Sequence, residues 1–372
     1  MIPVTDAFAT SYAAARSKFL QAANSAQLPV HSYRHPLQGA EGEDLAMDVV
    51  LQGDPNASKL LILSNASQGA DGFAGSALQT FLLGDEEWQA KARSQGVAVL
   101  YVHGINPWGM SHWTYGDHEN ISFLRNFVDF SQPLPSNAGY AQLHEKALKP
   151  YWATGTEMEA LHAKIAEQYG LASLLNLYQR GQYTHPTGFY YGGQQPSWSQ
   201  LQWREILRTW AQKAKRIAWV DTRSGWGVSS GTVTRVANVA SDAPQAIARA
   251  QKWWAINERA DTVLAPDAPE TILVAGFGDP VSSFEQECPQ AQFTGLAAYF
   301  AVSESLHEVS LAARSAQWLQ AQSQPSATDT ARVQDAMRKI SYKNDTTWQG
   351  PVISQGRQIM FQAVDGLSAE GA

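Results

Sequence analysis

At 372 residues, 44% hydrophobic and 16% charged, the chain has the composition of a folded protein with a substantial core, which excludes global disorder. A net charge of -7, with no concentrated basic stripe, excludes a general duplex-binding role. One cysteine, Cys288, excludes an intrachain disulfide, and no apolar run approaches the ~20 residues of a membrane span. The length suits one large α/β domain or two smaller ones. The lone cysteine fits a reducing compartment, and the first residues lack the basic and apolar regions of a leader, so the expected location is cytoplasmic. Thirteen tryptophans read as large core and loop fillers.

Residues 6–24 predict an amphipathic helix, with Asp6 as its cap and Phe8, Tyr12, Ala15, Phe19 and Ala22 near helical spacing. Residues 28–35 and 43–52 read as strands, the second alternating through Leu45, Met47, Val49 and Leu51. After a turn at 53–56, Leu60 to Leu63 form an apolar run too short for a helix, hence a buried strand. Gly69, Gly72 and Gly75 then allow tight backbone geometry, and from Phe73 the spacing of Leu78, Phe81 and Leu82 is helical. A turn at the carboxyl end of a buried strand is where open α/β folds place ligands, and Gln68 and Asp71 sit in it.

A helix at 85–94 and a buried strand at 97–104 follow, the strand leaving through a long aromatic loop at 105–115. Helices are predicted at 156–169 and 198–214, and a third buried strand at 216–221. That strand runs into a second glycine-rich turn, residues 222–231. A helix at 243–255, strands near 271–276 and 291–302, and helices at 305–321, 328–340 and 350–367 complete the chain. Residues 322–329 read as a surface linker, and there is no internal repeat. Strands alternating with helices throughout predict one α/β domain, residues 1–372, around a mostly parallel or mixed sheet.

The first turn reads Ser67-Gln-Gly-Ala-Asp-Gly-Phe-Ala-Gly-Ser76. It resembles the Thr-His-Gly-Val-Glu-Gly-Phe-Ala-Gly-Ser stretch of a carboxypeptidase-like family of unknown function. That family lies in the zinc carboxypeptidase clan, near the succinylglutamate desuccinylase and aspartoacylase branch. The resemblance continues through His103 to Gly109, Asn120, Arg125 to Asp129, Phe189 to Gly193 with Trp198 and Ser199, and Val220-Asp221. It ends at Trp348 and the run from Gln362 to Leu367, and so spans nearly the whole chain. It implies a mixed central sheet of about eight strands with helices on both faces.

It also implies a zinc site whose ligands this chain has replaced. The family's His and Glu of the first turn are Gln68 and Asp71 here, and its third ligand, a His in the second turn, is Arg223. The family's catalytic Glu falls at Tyr299, within one residue. The family's Asp-Leu-Asn-Arg-Asn-Phe run becomes Ser122 to Phe127, keeping Arg125, which the resemblance assigns to a substrate carboxylate. Catalytic zinc needs suitable N, O or S ligands and an open position. Gln68 is a poor ligand, and a guanidinium has no lone pair to give. Zinc is therefore not expected, no cofactor replaces it, and Tyr299 is a weak base near neutrality.

Two His, one carboxylate and Zn²⁺ would sum to about +1, whereas Gln68, Asp71 and Arg223 sum to zero. The expected arrangement is an Arg223–Asp71 pair with Gln68 adding a hydrogen bond. Such a pair is either inert filling for a dead site or a preorganised anion or carbonyl binder helped by Arg125, and the sequence leaves both open. The catalytic candidates are thus Arg223, Asp71 and Tyr299, and the substrate-binding candidates Gln68, Arg125, Asn126 and Ser224.

Other constellations read more weakly. His112, Asp117, His118 and Glu119 are the densest set of ligand types, at spacings that match no metal motif. His103 at a buried strand end reads as a hydrogen-bonded core histidine rather than a base, and Asp221 either as a residue orienting the second turn, whose backbone N–H groups need partners, or as an acid/base group. Cys288 stands in an acidic neighbourhood that disfavours a thiolate. Ser67, Ser76 and Ser224 lie in no nucleophile elbow, and the Gly69, Gly72, Gly75 triplet lacks the marks of a phosphate loop.

The leading expectation is a carboxypeptidase-like protein that has lost zinc hydrolysis. It binds a small amino-acid-like or acyl-amino-acid ligand bearing a carboxylate or amide, and supports a metal-independent reaction on it. One rival is a zinc-dependent peptide or amide hydrolase with a rearranged site. The other is a non-catalytic pseudoenzyme acting through a protein partner or a homo-oligomer, with its Trp-rich loops as the contact. No nucleic acid and no membrane enter any of the three.

Overall fold

The computed structural model describes residues 2–147, 177–240, 243–256 and 276–369, with positions 160, 164, 167 and 168 between the first two segments. Among the described residues seven strands form one mixed sheet in the order β1-β2-β4-β3-β5-β7-β6. They are β1 (Val30–Gln38), β2 (Asp44–Gln52), β3 (Lys59–Asn65), β4 (Val97–His103), β5 (Arg216–Trp226), β6 (Val233–Ala237) and β7 (Gln292–Ser303). The inner strands β4, β3, β5 and β7 are parallel, and β1, β2 and β6 add to the edges antiparallel.

A parallel strand covered by helices on both faces must be apolar on both, and β3 meets that demand. Leu61 and Leu63 pack on one side with Val99, Tyr101, Ala218 and Val220. Leu60 and Ile62 pack on the other with Ala98, Leu100, Ile217 and Trp219. The first face is covered by α2 (Tyr12–Ser25), α3 (Phe73–Leu83), α4 (Glu86–Ser94), α8 (Pro244–Trp254), α11 (Ala327–Ser341) and α12 (Thr346–Ser368). The second lies under α7 (Trp198–Trp210) and α9 (Val281–Glu287), through Trp203, Ile206, Leu207, Val281 and Phe284. Trp88, Trp203, Trp219, Trp254 and Trp348 are fully buried, so these tryptophans are core residues. Short α1 (Val4–Ala7), α5 (Pro107–His112), α6 (Ala138–Ala147) and α10 (Leu306–Gln320) complete the described helices. Among the described residues no helix is long and apolar enough to cross a membrane.

Several sequence expectations change. The helix over 6–24 is two helices, because Phe8 turns extended to pack on Tyr342 and Trp348. The cap is then Ser11, which accepts from Ala14 N at 3.3 Å, and Asp6 does not cap it. The 105–115 loop contains α5, capped by Asn106 accepting from Gly109 N at 2.9 Å. Residues 222–226 are not a turn: β5 continues through them, paired to β7 with an irregularity after Gly225. The antiparallel β6 lies between the expected turn at 222–231 and the expected helix at 243–255, where no element was predicted. The helix at 156–169 and the strand near 271–276 fall almost wholly outside the described residues.

The topology fixes where a ligand can sit. From β3 the chain crosses to β4 on one side and later returns to β5 on the other, so the carboxyl ends of β3 and β5 flank the point where strand order reverses. Crevices in open α/β sheets form at such points.

Candidate functional site

The turn after β3 is held rigidly. Ala66 and Gly69 both have positive φ, 60° and 63°. A Cβ on Gly69 would lie 2.4 Å from Thr114 O, so only glycine fits there. Asn65 Nδ2 donates to Gly72 O at 2.7 Å, and its Oδ1 accepts from Gly104 N at 2.9 Å. These bonds tie the exits of β3 and β4 together.

Asp221 is the hub beneath the crevice. Fully buried on β5, it accepts from Ser64 Oγ at 2.8 Å, from Ser67 Oγ at 2.7 Å and from Arg223 Nε at 2.7 Å. Its partners are side chains, so it does not serve turn amides as the sequence suggested. The expected Arg223–Asp71 pair is likewise replaced by Arg223–Asp221. The reason is the strand period: residues two apart on β5 project to the same side. Arg223 Nη1 donates to the Tyr299 hydroxyl, its register partner on β7, and the guanidinium lies 5.2 Å from that ring. Burial opposes the Arg223 charge, but Tyr299, Asp221 and Asp71 outweigh it and raise its pKa above the ordinary value. Burial also raises the Tyr299 pKa, with Arg223 pulling the other way.

Asp71 is 1% exposed and sits one layer below the crevice. Its Oδ1 accepts from Gln68 N at 3.3 Å, while Oδ2 has no hydrogen-bond partner among the described residues. Burial first, and the Asp221 charge second, push its carboxyl up to about 8, so it is protonated at neutrality. Ser224 Oγ bridges Asp71 O at 3.2 Å and Ser341 O at 2.6 Å.

A cavity of about 140 Å³ opens above these residues. Gln68, Arg125, Arg223, Ser224 and Tyr299 all line it, so five of the seven candidate residues converge. Asp71 does not reach its wall. Asn126 is also absent, because its amide is spent on structure: Nδ2 donates to Gly192 O and Gln195 O, and Oδ1 accepts from Ser197 N. Arg125 is held by Nε donating to Gln179 O at 2.6 Å and Nη1 donating to Leu124 O at 2.5 Å, with the Tyr190 ring 5.4 Å away. Burial lowers its pKa, and the Asp279 charge offsets part of that. Each arginine thus commits two nitrogens, and Nη2 of each has no hydrogen-bond partner among the described residues.

Sequence reasoning missed Tyr115, Tyr190 and Asp279, which line the same cavity. Tyr190 carried a signal in the Phe189–Gly193 run, and its φ of 46° marks a backbone held in a sparsely populated conformation. Tyr115 and Asp279 carried none, since each comes from a loop remote in sequence.

The other constellations do not assemble. Asp117 Oδ1 accepts from the amides of Glu119 and Ile121, and His112 Nδ1 lies 2.9 Å from Trp108 O with its ring stacked on that indole. Among the described residues no three His, Cys, Asp or Glu side chains form a metal-holding group. His103 Nε2 meets Ser76 Oγ at 2.8 Å and the ring stacks on Phe19, while burial drives its pKa down to about 4. It is a neutral core residue. Burial likewise pushes the Cys288 thiol up to about 11.

The sheet order, its helical layers and the crevice at the reversal point are those of the carboxypeptidase class of α/β folds. The thrombin activatable fibrinolysis inhibitor structure superposes with a TM-score of 0.52 at 9% identity, covering 99% of this chain and 77% of that one. Carboxypeptidase A from Helicoverpa armigera gives 0.44 at 9% identity, covering 95% and 73%. Succinylglutamate desuccinylase from Chromobacterium violaceum gives 0.37 at 12% identity, covering 87% and 73%. The first of these likenesses establishes the fold alone. The chain belongs to the DUF2817 family, proteins of unknown function, whose family model matches residues 8–355. No curated protein matches the sequence.

Proposed function

We propose that this protein is a divergent carboxypeptidase-like protein that binds a small amino-acid-like or acyl-amino-acid carboxylate without zinc. The observation that carries this reading is the pair of buried guanidiniums, Arg125 and Arg223, on one aromatic-walled cavity, each with an uncommitted Nη2. A planar fork of N–H donors in a low-dielectric pocket suits a carboxylate, and Tyr115, Tyr190 and Tyr299 supply the apolar body around it. A cavity of about this volume holds a molecule the size of a six-carbon ring, which supports a small ligand.

The donor chemistry argues against zinc at the position the fold family would use. Gln68 offers only an amide, Asp71 is a buried neutral acid, and Arg223 brings a cation to the place of a ligand. No step of the proposal passes through a metal. The contact-surface reading gains little from the 105–115 stretch, where Ile105, Met110 and Trp113 are buried.

Calorimetric titration of N-acetyl-L-alanine tests the reading. Saturable binding is expected, weakened at least tenfold in Arg125→Gln and in the corresponding N-acetylalanine methyl ester. Equal binding of acid and ester would sink it. Elemental analysis finding one zinc per purified chain would remove the zinc-free part.

A further inference from the structure

The cavity also holds an acid that carboxylate binding leaves unused. Asp279 lies deep in the protein yet keeps accessible surface, as a residue on a crevice wall does. It stands at the entry to α9, where its Oδ1 accepts from Val281 N at 2.9 Å. Its Oδ2 has no hydrogen-bond partner among the described residues. The segment leading to it is wrapped on Arg125. A Cβ on Gly276 would lie 2.2 Å from Arg125 Cζ, one on Gly278 would lie 2.4 Å from Arg125 O, and Phe127 N donates to Gly278 O at 3.0 Å. The chain itself therefore carries Asp279 to the side of Arg125.

Two opposite charges side by side ordinarily close into an ion pair. Here each is tied elsewhere: Arg125 to Gln179 O and Leu124 O, Asp279 to Val281 N. Burial raises the Asp279 pKa and lowers that of Arg125, and for each residue the other is the foremost charge opposing burial, with no hydrogen bond between them. The cavity thus presents a cation and an anion that are neighbours but not partners.

That separation describes the guest. A ligand with a carboxylate alone satisfies Arg125 but sets a second negative charge near Asp279, and like charges repel strongly in a low dielectric. An ammonium on the same ligand turns this repulsion into attraction, because it offers N–H donors and no acceptor to the spare oxygen.

We propose that Asp279 is an ammonium subsite, so that the cavity takes a zwitterion, its free amine on Asp279 and its carboxylate on Arg125. This rests on the carboxylate reading above and decides between its two ligand types in favour of the unacylated one. An N-acyl compound keeps the carboxylate contact but brings one neutral N–H in place of the ammonium, so it binds more weakly.

The test is calorimetry on the full chain at pH 7 with L-alanine, N-acetyl-L-alanine and L-alanine methyl ester. Alanine binds wild type roughly tenfold or more tighter than N-acetylalanine. Asp279→Asn retains an oxygen to accept from Val281 N but loses the charge. It removes that preference, leaves N-acetylalanine affinity unchanged or raised, and keeps Tm near that of wild type. An Asp279 that mattered only for folding would instead lower Tm and weaken both probes alike. Alanine binding no tighter than N-acetylalanine, with both weakened in Arg125→Gln, overturns the ammonium subsite and leaves the carboxylate reading standing. Alanine methyl ester binding as tightly as alanine overturns the carboxylate reading, and the zwitterion with it. No saturable binding of any of the three probes overturns both.

Discussion

Asp71 and Arg223, which the family resemblance sets at two metal-ligand positions, behave in opposite ways. Asp71 holds a proton in the folded state at pH values where an unfolded aspartate has lost it. The folded protein thus binds more protons between about pH 4 and about 8, and its stability falls as pH rises across that window. Asp71→Asn should flatten this slope, by up to about 1.4 kcal/mol per pH unit, in denaturation curves from pH 5 to 9. An unchanged slope would mean that the carboxyl is ionised when folded. Arg223 is instead bound into a charge pair. Arg223→Met leaves Asp221 buried with only two serine donors, and should cost about 3–5 kcal/mol. Adding Asp221→Asn to that variant should recover much of the loss, and additivity of the two changes would refute the pairing. The identities of these residues were legible in the sequence, but their pairing was not. It follows from the two-residue period of β5, and residues 222–226 had been read as a turn, where that period does not apply.

Among the elements, the first turn was the most legible, because glycine spacing and a switch from strand to helix period are both local signals. Its cost is also local. Gly69→Ala forces a Cβ against Thr114 O and a side chain into φ 63°, and should destabilise by more than about 2 kcal/mol. The N-terminal helices were misdrawn because Phe8 is apolar at a helical spacing yet packs as a break, against α12. Capping separates the two drawings: Ser11→Ala should cost about 1 kcal/mol and Asp6→Ala almost nothing in chemical denaturation. A reversed order would restore a single helix starting at Asp6. Tyr178, Asn238 and Ser310 also line the cavity and had no sequence signature, since they lie far apart in the chain and only the tertiary fold joins them.

On the scale of the whole molecule, the parallel strands and their buried runs were readable because burial on both faces leaves a continuous apolar string. The strand order was not, nor was the edge strand β6, whose Val233 to Arg235 are only partly buried. The order has a measurable consequence. Native-state hydrogen exchange should be slowest in β3 and β5 at the centre and fastest in β1 and β6 at the edges. Faster exchange in β3 than in β1 would contradict the arrangement.

The cation in this cavity is attached to β5 by covalent bonds, as the side chain of a residue paired strand-to-strand with β7. A coordinated ion can be stripped, exchanged or missing when a cell runs short of it. A guanidinium is supplied once, at translation, in fixed stoichiometry, and stays charged throughout the working pH range. Dialysis against a chelator should therefore leave carboxylate affinity untouched. On the proposed zinc-free reading, the charge that greets a ligand here is inherited with the gene and owes nothing to the trace-element supply.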